Sequence, residues 1–124
     1  MTLLFPIFAS ALIVSEKQYY ALYIKSFFEY RGLDPLPFLK IARCESGFNL
    51  KAYNNDTHDS GLMQINKLHW PIMKKMGLDI KDPEDQLIYS LYLYNLNRYT
   101  PWSASKKCWD SPSTLKVINA LLDT

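Results

Sequence analysis

The stretch PLPFLKIARCESGFNLKAYNNDTHDSGLMQINKLHW, from Pro35 to Trp70, decides how the rest of the chain is read. Asp34 stands before it as a helix cap, and Pro35 supplies a pre-set φ at the first helical position. Phe38, Ile41 and Ala42 recur at helical spacing and mark a face to be buried. Glu45 follows three residues after Ala42 on the same stripe, with Gly47 as the expected stop, so a helix is predicted over 35–48. A carboxyl group on an apolar stripe is partly desolvated, which raises its pKa and suits it to donate a proton near neutral pH. The plainer alternative is a helix-end Glu that is exposed or paired with Arg43 or Lys40.

A polar loop over 51–60 follows, and then Gly61-Leu62-Met63-Gln64-Ile65-Asn66, which begins sixteen residues after Glu45. Together with Cys44-Glu45-Ser46-Gly47-Phe48-Asn49, this segment resembles the paired signature of the lysozyme-like lytic transglycosylases, the SLT-domain family. Trp102-Ser103-Ala104-Ser105-Lys106-Lys107-Cys108-Trp109 is similar to the W-S-x-S-x-x-C-W finish of compact bacterial members. The likeness runs from about Leu36 to Trp109 and is strongest to short, secretion-associated forms. It implies an all-α, lysozyme-like domain with a cleft between the Glu45 helix and the Gly61–Asn66 segment. It also implies cleavage of the β-1,4 bond between N-acetylmuramic acid and N-acetylglucosamine in peptidoglycan. Glu45 would be the single acid and base, the product would carry a 1,6-anhydro end, and no metal or organic cofactor would be needed.

The same resemblance assigns the remaining candidates. Gln64, Ile65 and Asn66 would hold the N-acetyl arm of the sugar. Tyr94 and Asn95 match a Tyr-Asn element, although Leu96-Asn97 stands where Ala-Gly commonly follows. Trp102 would pack against the acid or floor the sugar cleft. Asp59 lies two residues before Gly61, where animal-type lysozymes carry their second catalytic carboxylate. Three readings of Asp59 stay open: electrostatic support at the anomeric carbon, an Asx-type loop cap, and a calcium ligand in a loop without the EF-hand pattern. A hydrolytic lysozyme using Glu45 and Asp59 is the alternative enzyme. A non-catalytic glycan-binding module is the alternative outside enzymology, and its hallmark would be loss of the acid.

At 124 residues the chain suffices for one domain, and 48% hydrophobic with 21% charged residues excludes a wholly disordered protein. A net charge of +2 without a Lys/Arg run gives no basis for nucleic-acid binding. Two cysteines in a chain suspected of export suggest a Cys44–Cys108 bridge, with two buried free thiols as the alternative. His58 and His69 show no motif with either thiol, which argues against a Cys–His hydrolase and against zinc.

Residues 1–14 are nearly all apolar yet too short to span a bilayer as a helix. They read either as a secretory segment with Ala9-Ser10-Ala11 as its cleavage site, or as a lead-in packed on the domain formed by 15–124. The expected location is secreted, periplasmic or cell-wall associated, a phage particle or lysis protein included. The expected state is a monomer, with a secretion-system or phage-particle component as a further partner.

Ser15-Glu16-Lys17-Gln18 reads as a capping box opening a helix over 16–31, with Tyr20, Ile24, Phe27 and Phe28 inward. Further helices are expected over 68–76, from Asp82 to about Asn97 with Leu87, Ile88, Leu91 and Tyr94 or Asn95 inward, and from Ser111 with Leu115, Ile118 and Leu122 inward. Residues 60–65 are expected to be extended.

Overall fold

A computed structural model describes residues 14–123, so the expected secretory or lead-in segment lies outside the described residues except for Val14, which is exposed. Six α-helices are formed among them: α1 (Glu16–Tyr30), α2 (Leu36–Ser46), α3 (Trp70–Lys75), α4 (Pro83–Asn97), α5 (Lys106–Trp109) and α6 (Pro112–Leu122). Two 3-10 segments, Lys67–His69 and Thr100–Ser105, precede α3 and α5. The extended part is small: β1 (Asp59–Ser60) pairs antiparallel with β2 (Ile65–Asn66), with Asp59 opposite Asn66. None of the described helices is long and apolar enough to cross a membrane.

The helix boundaries follow local chemistry. Ser15 accepts from the Gln18 backbone N–H at 3.1 Å, Asp34 accepts from Leu36, and the Asp82 side chain accepts from Asp85. The second half of the expected capping box does not form. Gln18 instead donates from Nε2 to the Leu121 carbonyl at 3.2 Å, tying α1 to α6. Helix α2 stops two residues earlier than expected, because Gly47 and Phe48 both adopt left-handed conformations at φ +61°.

Helix α2 is the hub, packing against α1, α5, α6 and the Thr100–Ser105 segment. Its Phe38, Leu39, Ile41 and Ala42 are buried, and the Phe38 ring stacks on Phe28 with centroids 3.8 Å apart. Burying four such side chains removes enough apolar surface to fix the helix against its neighbours, at about 1.5–3 kcal/mol for each large one.

Helix α4 departs from expectation. Gln86, Leu87, Tyr89, Ser90 and Leu93 are its buried residues, while Ile88, Leu91 and Tyr94 are only partly covered. The reason is that Gln86 points inward to serve the backbone of the Gly61 turn, accepting from Leu62 N at 2.9 Å and donating to the Ile80 carbonyl at 2.7 Å. In α6, Thr114 and Ile118 are buried and Leu122 is partly buried.

Candidate active site

Two sequence motifs far apart in the chain are pinned together by backbone carbonyls. Ser46, the last residue of α2, donates from Oγ to the Leu62 carbonyl at 2.8 Å, sharing that proton with Ala42 of its own helix at 3.1 Å. Trp102 donates its indole N–H to the next carbonyl, that of Met63, at 2.9 Å. With Gln86 accepting from Leu62 N, the turn after Gly61 is gripped from α2, from α4 and from the Thr100–Ser105 segment. Gly61 is required there: at φ +86° an added Cβ would sit 2.4 Å from Gln86 Oε1.

The disulfide between Cys44 and Cys108, Cα atoms 6.0 Å apart, fastens α5 to α2 immediately beside Glu45. This is the bridge expected from the cysteine pair. It closes a loop with a sequence separation of 64, and such closure stabilises by about 4 kcal/mol in the chain-entropy model.

Glu45 therefore sits on a rigid helix end, half-buried and framed by anchored segments. Desolvation pushes its carboxyl from the ordinary 4.5 up to about 7; a hydrogen bond with Ser105 works against that rise, and the nearby Asp59 charge adds to it. A carboxylic acid whose proton is still present on about half of the molecules at neutral pH can donate to a leaving oxygen and later act as a base. Sequence reasoning did not single out Ser105. The W-S-x-S pattern contained it, but only the fold brings it to Glu45.

Asp59 is held on both oxygens. Thr57 Oγ1 donates to Oδ2 at 2.7 Å and Asn66 Nδ2 donates to Oδ1 at 2.9 Å. The Asx turn of this loop belongs to Asn54, whose Oδ1 accepts from the backbone of Asp56 and Thr57. Asp59 is thus not the loop cap, and its carboxylate is oriented rather than free.

The remaining predicted residues divide by what their side chains already do. Asn66 is committed within the protein, donating to the Thr57 carbonyl as well as Asp59 and accepting from Leu68 N. Gln64, at φ +51°, uses Nε2 on the carbonyls of Ala52 and Gly61, which leaves Oε1 without a bond to the described residues. Ile65 is buried in β2, so only its backbone faces the pairing edge. Tyr94 lies in a ring cluster with Phe38 and Tyr99, at 5.2 and 5.1 Å between centroids. Trp102 is only 2% exposed, so it presents no open face for a sugar to stack on and acts as the tie to Met63. Phe48, His58 and Gln64 all hold positive φ around the site, the kind of backbone strain that surrounding structure must over-determine.

Among the described residues, no group of three or more His, Cys, Asp or Glu side chains is gathered to hold a metal ion. A concavity of about 540 Å3 lies along α1 between Tyr19, Tyr23, Phe27 and Tyr30, away from this chemistry. The site is located by its desolvated acid and not by the depth of a pocket.

A family model described as the transglycosylase SLT domain matches residues 23–105, more than half of the chain. The chain belongs to this family. The SLT match takes in α2, the Gly61–Asn66 segment and Ser105, while Cys108 and α6 lie beyond it. Members of the SLT family are peptidoglycan lytic transglycosylases with a lysozyme-like, mainly helical domain, which agrees with the helices seen here. Neither a curated protein nor a solved structure matches the chain.

Proposed function

We propose that this SLT domain cleaves the β-1,4 bond between N-acetylmuramic acid and N-acetylglucosamine with Glu45 as its single acid and base. The observation that carries the reading is the half-buried Glu45 carboxyl, raised to about 7 at a helix end tied by Ser46 to the Leu62 carbonyl and by Cys44 to Cys108. Protonated Glu45 gives its proton to the glycosidic oxygen as the bond from that oxygen to the anomeric carbon breaks. The acetamido oxygen of the muramoyl residue closes on that carbon. Glu45, now a carboxylate, takes the proton of the 6-hydroxyl, whose oxygen displaces the acetamido group to leave a 1,6-anhydro end and a reprotonated Glu45.

Around that step, Gln64 Oε1 and the Ile65–Asn66 backbone receive the N-acetyl group, and Asn66 keeps Asp59 in register. Tyr94 and its neighbours line the approach, and Trp102 braces the turn. The disulfide suits an oxidising compartment, and the substrate lies outside the cytoplasm, so export of the chain follows from the reading. The experiment is Glu45→Gln, which keeps the side-chain volume and removes the transferable proton. Peptidoglycan solubilisation is expected to fall to background with the fold intact, and turnover near the parent rate would reject the assignment.

One observation favours a second reading. Asp59 is clamped on both carboxylate oxygens close enough to Glu45 to bias its titration, as a second catalytic carboxylate would be. A hydrolytic lysozyme would use that charge and finish with water, leaving reducing ends.

A further inference from the structure

A second concavity, about 460 Å3, shares Ser105 with the surroundings of Glu45 and is lined also by Arg43, Lys107, Ser111, Ser113 and Thr114. Its two cations have no acidic partner among the described residues. The ion pairs among the described residues are Lys25–Glu29 and Lys106–Asp110, so Asp110, the acid nearest in sequence to Lys107, is already taken. Arg43 is half-buried, and its hydrogen bond is a weak one, from Nη1 to Cys108 Sγ at 3.7 Å. A guanidinium carries five N–H donors in a fork that matches a carboxylate, and partial burial without such a partner leaves a desolvation cost that an incoming anion offsets. Ser111 and Ser113 add hydroxyls that bond to each other at 2.9 Å.

We propose that this concavity binds a carboxylate of the peptide stem carried by a muramoyl residue, with Arg43 as the forked donor and Lys107 as a point charge. The inference rests on the peptidoglycan-cleaving reading of Glu45. Stems are attached through the muramoyl lactyl group, so a strand lying against Glu45 brings their carboxylates near, and these are the negative groups on an otherwise neutral sugar chain. The net charge of +2 is too small to draw an anionic polymer strongly, so recognition falls to a local pair.

The test compares strands whose stems bear free carboxylates with strands whose stem carboxylates are amidated. For the parent chain, kcat/KM is expected to be roughly tenfold higher on the free-acid strands, about one charge-assisted hydrogen bond. In Arg43→Gln that ratio falls toward one. Lys107→Glu, at an exposed position that leaves folding untouched, is expected to invert it. Equal rates of the parent on both strands, or an unchanged ratio in Lys107→Glu, overturns the proposal while leaving the Glu45 reading standing. If the parent cleaves neither strand, the Glu45 reading has failed, and binding still decides the second point. A free-acid N-acetylmuramoyl peptide titrated into the full chain is expected to shift amide resonances around Arg43 and Lys107, and its amidated form is not. Absence of binding, or binding that survives amidation, overturns it.

Discussion

Asn66 donates its side-chain amide to Asp59 at 2.9 Å, across the register in which these two residues face each other in the two-stranded ribbon. The last residue of the Gly61–Asn66 motif therefore orients the second carboxylate of the site, and one oxygen of that carboxylate also accepts from Thr57.

Asp59→Asn separates the two enzymatic readings. With Glu45 as sole acid and base, the rate is expected to drop by about tenfold or less, the loss of one screened charge, with product ends unchanged. A loss of a thousandfold or more would mark Asp59 as a catalytic partner in hydrolysis. Initial rates on purified sacculi give the answer.

The pH profile follows from the Glu45 shift. Because the acid form starts the reaction, kcat/KM is expected to decline as pH rises through about 7. Asp59→Asn removes a charge that raises the Glu45 pKa and moves this limb to lower pH. Ser105→Ala removes a hydrogen bond that lowers it and moves the limb upward.

Stability carries the same signature with a definite sign. The folded-state pKa of Glu45 lies above the ordinary 4.5, so the folded protein holds that proton more tightly than the unfolded chain does. Below about pH 4.5 the group is neutral in both states and costs nothing. As pH rises to 7 the burial cost develops, and above 7 it is fully present. Glu45→Gln is expected to gain about 1–2 kcal/mol at pH 8, after allowing for the carboxyl's partial exposure, and nothing at pH 4. Thermal unfolding at the two pH values measures it, and an equal gain at both would contradict the desolvated acid.

Gly61→Ala tests the grip on the turn. The added methyl group would collide with Gln86 and occupy a left-handed backbone, so a loss of about 2–4 kcal/mol is expected, together with most activity. A urea midpoint equal to the parent's would show that Gln86 does not hold Leu62 as described.

Reduction of Cys44–Cys108 is expected to cost about 4 kcal/mol in chain entropy. Activity should fall further than stability alone explains, because the bridge adjoins Glu45 and sits three residues beyond Ser105. Urea unfolding of Cys108→Ser beside the oxidised parent provides the measurement.

Much of the scaffold was legible because caps and stops act locally. Ser15 and Asp82 cap helices, while Asp34 accepts from Leu36 from one residue before the Pro35 cap, and Gly47 and Gly77 end helices with positive φ, as residue types with those hydrogen-bonding and steric properties should. The desolvation of Glu45 was legible for a related reason: a carboxyl on an apolar helical stripe loses water wherever the helix packs. The inward turn of Gln86 was not, since its partner, the Leu62 backbone, lies 24 residues away and leaves no trace in periodicity. That Gln64 Nε2 and Asn66 Nδ2 also hold the loop was not legible, because a tight turn has carbonyls whose need for donors is set by the fold. The meeting of Ser105 with Glu45 is tertiary, and local sequence carries no signal for it.

In the proposed reaction one half-buried acid, Glu45, cuts the glycan and the sugar's own 6-hydroxyl takes over the anomeric carbon. Mass spectrometry of muropeptides released by the parent chain, beside Glu45→Gln, tests it most directly. Ends one water lighter than reducing sugars are expected from the parent and none from the variant; reducing ends, or equal release by both, would contradict it.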